Sequence, residues 1–160
     1  MAESKHRRRS ADMELHARYF EDFEVGERVE CGSRTIGEAE VAAFAGLTQD
    51  FHPAHMDVVF ATKEFGGRLV HGALTFSVVV GLTVEYNPLA FAYGYDRIRF
   101  PNAMKCGDTI TAVSEVVSTR IHEKSGRGLV VKRYTGTNQE GLTVLSCEHT
   151  LAVARRGTSA

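Results

Sequence analysis

The feature that most constrains the fold of this chain is an uncharged, largely apolar run over residues 69–84. It is too short for a membrane span, which needs about 20 apolar residues, so it predicts a segment buried in a protein core. Its periodicity is ambiguous. The three consecutive valines at 78–80 favour a strand, whereas the length and near-complete apolarity of the run allow a fully buried helix.

The second half of the chain has the alternating pattern of antiparallel strands. From Tyr93 onward apolar residues recur at every second position. The last two predicted strands cover 129–137 and 142–153, and a glycine-containing turn precedes each of them. The first half instead predicts short helices over 38–45 and 58–65. This segregation of helices and strands indicates an α+β fold.

Size and charge exclude several classes of protein. A chain of 160 residues is expected to form one domain. Its 19 Lys and Arg residues nearly balance its 20 Asp and Glu residues, giving a formal net charge of −1. The chain therefore lacks the basic footprint of a nucleic-acid binder. Its N-terminal residues contain no apolar stretch of the kind found in secretory signals, so we expect neither secretion nor membrane binding.

The three cysteines, Cys31, Cys106 and Cys147, are far apart and form no Cys-x-x-Cys pair. Neither a zinc site nor a disulfide framework is indicated. Because reduced thiols are typical of the cytosol, we expect a cytoplasmic protein.

The N-terminal residues 1–18 are predicted to form a flexible tail. A small basic run from Lys5 to Arg9 precedes the first apolar pattern. Such a run can contact nucleic acid or a membrane, but it is more often a solvated terminus, and we favour the second interpretation.

Asp50 and His55 are the first candidates for chemistry. They lie five residues apart on one predicted loop and flank Pro53. A carboxylate and an imidazole held close together can share one water, one group accepting its proton while the other orients it or donates. The spacing alone is a weak signal.

The second candidate is the pair His71-Gly72, at the start of the apolar run. If that run is a helix, Gly72 lies in its first turn, where free N–H groups and the positive end of the helix dipole favour an oxyanion. Glycine also permits close approach by a substrate carbonyl. The alternative is that Gly72 allows a tight entry into the helix and His71 is a structural, half-buried histidine.

Together these elements resemble the hydratase motif of the MaoC-like dehydratase family, which includes the (R)-specific enoyl-CoA hydratases. The resemblance rests on Leu47-Thr-Gln-Asp-Phe-His-Pro-Ala-His55, followed by Gly67-Arg-Leu-Val-His-Gly-Ala-Leu74. It extends to Phe100-Pro-Asn-Ala-Met-Lys-Cys-Gly-Asp-Thr-Ile110, which is similar to the strand entry of the family. It therefore covers about residues 20–153, nearly the whole chain.

The resemblance implies a hot-dog fold, an antiparallel sheet wrapped around one long central helix. It assigns the ambiguous apolar run to that helix, from about residue 72 to 84, within a single hot-dog domain over 19–155. Because the motif occurs once, it also implies a homodimer or a higher homo-oligomer, with the acyl thioester bound near the interface.

The resemblance further implies a lyase of fatty acid metabolism. Asp50 and His55 would bind the water that adds across the C2–C3 double bond of an enoyl-CoA, or that leaves in reverse as a 3-hydroxyacyl-CoA dehydrates. Asp50 would be the base and His55 would hold the water and help protonate C2, although the two roles could be reversed. The N–H of Gly72 would bind the thioester carbonyl. No metal and no cofactor is expected, since the coenzyme A thioester is the substrate.

Two positions depart from the family pattern. Position 52 is His where Asn is common, so His52 could bind substrate, perturb His55 or hydrogen-bond the backbone as Asn would. The central helix has Val80 where several (R)-hydratases carry serine, although Ser77 precedes it by three residues. We include His52, His71 and Ser77 with Gly72 as candidate substrate-binding residues.

Two other functions remain open. A hot-dog thioesterase would need a carboxylate positioned to attack the thioester, and the complete Asp50/His55 pair followed by His71-Gly72 favours a hydratase instead. A non-catalytic module for acyl-CoA binding or assembly would be indicated by loss of Asp50 or His55, and both are present. The substrate could be carried by coenzyme A or by an acyl-carrier protein, and its acyl group could be branched or dicarboxylic.

Overall fold

The described residues form an α+β fold built around one six-stranded sheet. The structure is a computed structural model that describes residues 7–8 and 15–157. The strands are β1 (Arg7–Arg8), β2 (Arg28–Thr35), β3 (Ala90–Arg99), β4 (Thr109–Ile121), β5 (Gly128–Thr137) and β6 (Thr143–Val153). The helices are α1 (Glu38–Thr48), α2 (Pro53–Met56), α3 (Val58–Phe65) and α4 (Gly72–Thr83), and a 3-10 turn covers Phe20–Asp22.

The strands lie in the order β1-β2-β4-β5-β6-β3. All neighbours pair antiparallel except the two-residue β1, which pairs parallel to β2. In β5 alternate residues are buried from Val130 onward, as expected for a strand with one face on a core. The second half of the chain therefore folds as its period-two pattern predicts, and the α+β prediction is confirmed.

The ambiguous apolar run forms the helix α4. Thr75, Val79 and Thr83, at a spacing of four residues, are its buried residues. The helix approaches the sheet closely at Gly136 of β5, where a Cβ atom would lie 2.9 Å from Val79 and 2.8 Å from Ile110. An antiparallel sheet packed around one apolar helix is the hot-dog arrangement, so that prediction is also confirmed.

The helices of the first half differ from their predicted limits only in detail. The helix predicted over 38–45 continues to Thr48, and α3 has the predicted bounds. The predicted loop between them contains the one-turn helix α2, because Pro53 occupies its first position and the His52 side chain accepts a hydrogen bond from the Ala54 amide. No helix in the described part of the chain is long and apolar enough to cross a membrane.

The flexible tail predicted over 1–18 falls mostly outside the described residues, and it stays a prediction. The end of this segment, residues 15–18, is described and contacts the rest of the chain. The His16 amide donates to the Tyr86 carbonyl at 3.1 Å. The Arg18 guanidinium bonds both carboxylate oxygens of Glu27, at 3.1 and 2.7 Å, and lies 4.1 Å from the ring centroid of Phe23.

A polar cluster is buried between β5, β6 and the end of α4. The Tyr134 hydroxyl and His149 Nδ1 are 2.7 Å apart, and the ammonium of Lys132, which is 2% exposed, pairs with Glu85. Burial, with a smaller contribution from the Lys132 charge, lowers the pKa of His149 to about 4. Burial also raises the pKa of Tyr134 well above its usual range. Both groups are therefore uncharged at neutral pH.

The lowered pKa of His149 predicts a pH-dependent loss of stability. An unfolded histidine with a pKa of 6.5 binds a proton below that pH, whereas the folded chain binds it only near pH 4. The free energy of unfolding therefore falls as the pH drops through this window, by about 2 kcal/mol at pH 5 from this group alone. We expect urea unfolding at pH 7.5 and at pH 5 to show this loss of stability. In His149→Gln the difference between the two pH values should be smaller by the contribution of His149.

His122→Gln is the matched control, because the His122 ring bonds Ser125 in the exposed turn between β4 and β5. It should keep the pH dependence of the native chain. An identical pH dependence in His149→Gln and the native chain would contradict the prediction.

Candidate active site

Asp50 follows the end of α1 on a sharply turned segment. α1 ends at Thr48, and Gln49 adopts a left-handed backbone conformation with φ 65°. The Asp50 carboxylate is exposed and accepts a weak hydrogen bond from the His52 amide at 3.3 Å. The short α2 then turns the chain so that His55, in its last turn, comes back towards Asp50.

The orientation and the tautomer of His55 are set by a backbone carbonyl. His55 Nδ1 lies 2.9 Å from the carbonyl oxygen of Leu69. Because a carbonyl only accepts, Nδ1 carries the proton, and in the neutral ring Nε2 has the free lone pair. The half-buried His55 ring therefore offers a hydrogen-bond acceptor.

His71 joins the Asp50 loop to the start of α4. It is 2% exposed, and its Nε2 donates to the carbonyl oxygen of Asp50 at 3.0 Å. Its ring also stacks on that of His55, with the centroids 3.8 Å apart and the planes at 25°. The buried Nδ1 of His71 has no hydrogen-bond partner among the described residues. His71 thus positions both catalytic candidates.

The donor atoms of Asp50, His55 and His71 converge. One carboxylate oxygen and one ring nitrogen from each histidine lie within 4.8 Å of one another. Two groups that bind one water at about 2.8 Å, with a near-tetrahedral angle at its oxygen, lie about 4.6 Å apart. The geometry therefore fits a water shared between the carboxylate and an imidazole. These residue types can also ligate a divalent metal ion, although one nitrogen of each ring already bonds a backbone carbonyl.

Gly72 places a helix N-terminus beside this cluster. It is the first residue of α4, and His71 is the N-cap residue. The first amides of a helix have no acceptor within the helix; the first helical bond of α4 runs from the Thr75 amide to the His71 carbonyl. A Cβ at position 72 would lie 3.1 Å from the ring of Phe100. Glycine thus lets the Phe100 ring pack close against the start of α4.

Two neighbouring residues hold the loop in place, and sequence reasoning did not single them out. Arg68 Nε donates to the His55 carbonyl at 2.8 Å, and its guanidinium pairs with Glu38 at 3.1 Å. Leu69 bonds His55 through its carbonyl and the Ala54 carbonyl through its amide, at 2.9 Å in each case. Both residues lie in the second segment of the motif, from Gly67 to Leu74. Their hydrogen bonds join residues thirteen or more positions apart, and such contacts leave no periodic pattern in the sequence.

The predicted substrate-binding residues His52 and Ser77 occupy different places. His52 Nδ1 accepts from the Ala54 amide at 3.1 Å, so the imidazole caps α2 as an asparagine would, and its ring centroid is 6.1 Å from that of His55. Ser77 lies on the exposed side of α4, where its hydroxyl donates to the Ala73 carbonyl at 2.8 Å. It is not among the residues that meet at Asp50, and its role in substrate binding stays a prediction.

The Cys106 thiol is not activated. Cys106 is half-buried and its amide donates to the Arg68 carbonyl at 2.9 Å. Burial raises the pKa of the Cys106 thiol above its usual value. A protonated thiol is a poor nucleophile, so the chemistry of this site falls to the carboxylate and the imidazoles.

The motif residues lie within a region that is similar to known proteins. A family model described as a MaoC like domain matches residues 22–138. An (R)-specific enoyl-CoA hydratase from Rhodospirillum rubrum is 35% identical over 150 residues, which are 91% of this chain and 97% of the relative. Protein MaoC from Klebsiella aerogenes is 38% identical over 96 residues, which are 58% of this chain but only 29% of that longer protein.

A solved structure supports the same relationship. The crystal structure of a MaoC-like dehydratase from Rhodospirillum rubrum superposes with a TM-score of 0.77 and 26% sequence identity. The superposition covers 89% of this chain and all of that one.

The bond from His71 to the Asp50 carbonyl generates a stability prediction. His71→Phe keeps a ring that can stack on His55 but removes the donor, which leaves a carbonyl unpaired beside the buried ring. We expect the free energy of unfolding to fall by about 1–3 kcal/mol, measured by urea denaturation. His122→Phe, which removes a half-buried imidazole in the turn after β4, should change it by less than about 0.5 kcal/mol. Equal stabilities of both variants and the native chain would show that the bond is unimportant.

Proposed function

The chain belongs to the MaoC-like domain family, and from that premise we propose that it is a hydro-lyase acting on enoyl thioesters. It adds water reversibly across the C2–C3 double bond of an enoyl-CoA, and in reverse it dehydrates a 3-hydroxyacyl-CoA. The observation that carries the proposal is the placement of the Asp50 carboxylate and the His55 imidazole within 4.8 Å of each other, next to the amide end of α4.

In this mechanism the Asp50 carboxylate and the His55 imidazole bind the same water. Asp50 accepts one water hydrogen and His55 Nε2 accepts the other, so the oxygen presents a lone pair to C3. As the C3–O bond forms, one proton passes to the pair, with Asp50 as the preferred base, and the same pair returns a proton to C2. Nε2 of a neutral His55 is also an acceptor, so the reversed assignment, with His55 as the base, is the alternative. A positioned acid–base pair contributes about 10²–10⁴-fold.

The amide end of α4 stabilises the negative charge that develops on the thioester oxygen. Attack at C3 moves electron density through C2 to the carbonyl, and an N–H donor at that oxygen lowers the barrier. Gly72 offers an amide at the first helical position, where the helix dipole has its positive end. By analogy with measured oxyanion-hole deletions, one such donor contributes about 3–4 kcal/mol.

The stereochemistry and the assembly extend this proposal. We infer (R)-specific addition, since the relative covered over 97% of its length is named an (R)-specific enoyl-CoA hydratase. A homodimer would cover the exposed side of α4, formed by Ala73, Ser77 and Gly81, together with the exposed aromatic residues Phe91 and Tyr93 on the edge strand β3. The acyl group would then be carried by coenzyme A or by an acyl-carrier protein.

A cytoplasmic location is part of the same proposal. Burial raises the pKa of the Cys147 thiol to about 11. None of the three cysteines, which all lie among the described residues, forms a disulfide. Reduced thiols agree with a reducing compartment.

The first test is hydration of crotonyl-CoA, followed as loss of the enoyl-thioester absorbance. We expect native activity, and we expect Asp50→Asn and His55→Ala each to lower kcat/KM by about 10²–10⁴-fold, because each removes one partner of the water. Asp96→Asn and His122→Ala are the matched controls, since both side chains lie away from the site, on β3 and after β4, and both controls should stay within about twofold of the native value.

Other outcomes distinguish the remaining functions. Release of free thiol from saturated acyl-CoA would identify a thioesterase instead of a hydratase. Binding of acyl-CoA without turnover of any enoyl-CoA would identify a non-catalytic module. Unchanged activity in Asp50→Asn or His55→Ala would exclude the proposed pair.

Metal removal provides a separate test. The mechanism uses only side chains and a backbone amide, so dialysis against EDTA should leave kcat/KM for crotonyl-CoA unchanged. Added Zn²⁺ should inhibit, because Asp50, His55 and His71 can offer it three converging ligand atoms. Loss of activity on chelation, with recovery on adding one metal ion, would assign the cluster to a metal instead.

A further inference from the structure

An aromatic side chain borders the amide end of α4. The ring of Phe100 lies so close to Gly72 that a Cβ atom on this glycine would be 3.1 to 3.3 Å from three of the ring carbons. In a helix the Cα–Cβ bonds tilt towards the N-terminus, and the free amides of the first turn point the same way. The ring therefore stands beside the space in front of the Gly72 amide. Phe100 is 45% exposed, so part of its ring is open to a bound molecule.

A β-bulge in β3 turns Phe100, the residue after this strand, towards α4. Before the bulge Tyr95 faces the helix and packs edge-on against one of its side chains. In a regular strand the residues on that face would continue with Arg97 and Arg99. The register against β6 instead shifts between Asp96 and Arg99, where three residues of β3 are matched to two of β6. One extra residue exchanges the two faces of the strand, so Phe100 faces the helix.

The bulge requires a strained backbone. Among the described residues other than glycine, Gln49 and Arg97 have a positive φ, at 65° and 52°. Gln49 directly precedes Asp50, and Arg97 precedes Phe100 by three residues. Strained positions persist where the surrounding structure holds them, and they cluster at functional sites. Both of these residues adjoin the start of α4, one on each side of the candidate active site.

Long-range hydrogen bonds fix the chain that follows Phe100. The Val70 amide donates to the Met104 carbonyl at 2.8 Å, which joins this segment to the residues just before α4. The side-chain amide of Asn102 donates to the Thr143 carbonyl, also at 2.8 Å. The backbone that carries the ring is therefore held in place relative to the start of α4.

The proposed reaction brings C2 of the acyl group next to this ring. The thioester oxygen accepts from the Gly72 amide at about 2.9 Å, and C3 meets the water held by Asp50 and His55. C2 lies between the carbonyl carbon and C3. A methyl group needs about 3.5–4.0 Å from each ring carbon, whereas the Cβ position of Gly72 is only 3.1 to 3.3 Å from the Phe100 ring. This side of the amide therefore has no spare room for a methyl group.

We propose that Phe100 is a specificity-determining residue that contacts C2 of the bound acyl group and excludes substituents there. The substrate class is then enoyl thioesters with hydrogen on C2, and branches further along the acyl chain are not restricted by this residue. This inference rests on the proposed hydratase function, with the thioester carbonyl at Gly72.

The test compares two isomeric substrates, trans-2-pentenoyl-CoA and 2-methylcrotonyl-CoA, with crotonyl-CoA as reference. In the native chain we expect kcat/KM for the 2-methyl compound to be about 10–200-fold lower than for its isomer. In Phe100→Ala the ratio of 2-methylcrotonyl-CoA over pentenoyl-CoA should rise by about tenfold or more. The intrinsic reactivities of the two compounds cancel when this ratio is compared between variants, and the ratio is independent of the amount of folded enzyme.

Two further variants and a second substrate pair assign the effect to the Phe100 ring. Phe100→Leu keeps a smaller apolar side chain and should give an intermediate ratio. Tyr86→Ala is the matched control and should keep the native ratio, because Tyr86 is similarly exposed, at 41%, and follows the opposite end of α4. The ratio of 4-methyl-2-pentenoyl-CoA over trans-2-hexenoyl-CoA should be the same in Phe100→Ala and the native chain, since that branch lies two carbons beyond C2.

The outcomes separate this inference from the proposed function. Hydration of crotonyl-CoA with the same isomer ratio in Phe100→Ala and the native chain overturns the role of Phe100 and leaves the hydratase intact. Equal native kcat/KM for the two isomers overturns it as well. If Phe100→Ala yields no active protein, the ratio in Phe100→Leu decides in the same way. A chain that hydrates none of these thioesters, crotonyl-CoA included, overturns both proposals.

Discussion

The hydrogen bond from His71 Nε2 to the Asp50 carbonyl connects the two halves of the site. Asp50 follows a helix that ends in a left-handed residue, and its carboxylate is exposed. Together with the bonds of Arg68 and Leu69 to the same loop, this buried donor fixes the distance of Asp50 from α4. The same imidazole stacks on His55, so one buried side chain holds the carboxylate segment and the second histidine at once. His71 is itself the N-cap residue of α4, so its buried position depends on where that helix begins.

The apolar character of α4 determines what its two ends can do. A helix packed against a sheet cannot carry charged side chains on its buried face without a partner. The chemistry is therefore confined to its termini, where backbone and flanking residues supply polar groups. At the N-terminus these are the free amides at Gly72 with Asp50 and His55 nearby. At the C-terminal end of α4 the polar groups are side chains of the adjacent strands, Lys132 and Tyr134 on β5 and His149 on β6.

Much of this arrangement could be predicted from the sequence, for two different reasons. The strands of the second half follow from local alternation, which depends on burial of one sheet face. The helix α4 does not follow from periodicity, because an apolar run buried on most sides has no contrast between faces; only the resemblance assigned it. The pairing of Asp50 with His55 also needed the resemblance, since the spacing alone is common. The distance that allows a shared water required α2, which depends on Pro53 and on the capping side chain of His52.

The parts that could not be predicted depend on contacts across long stretches of chain. The Leu69 carbonyl that selects the His55 tautomer has no side-chain signal, and Arg68 acts through a carbonyl thirteen residues away. The alternation of the last predicted strand says nothing about the partner of His149. Its cross-strand bond to Tyr134 depends on the register of β5 against β6, in which Lys132 pairs with His149 and Tyr134 with Cys147. Alternation places a residue on a face, but it does not fix that register.

The unpaired nitrogens of His71 and His149 have the same physical meaning. A buried polar atom without a partner costs about 1–3 kcal/mol, which is a large part of the stability of a domain. Each belongs to a ring whose other nitrogen is bonded, His71 Nε2 to the Asp50 carbonyl and His149 Nδ1 to the Tyr134 hydroxyl. The bond that each ring does form therefore has to offset the cost of the nitrogen that it leaves unpaired.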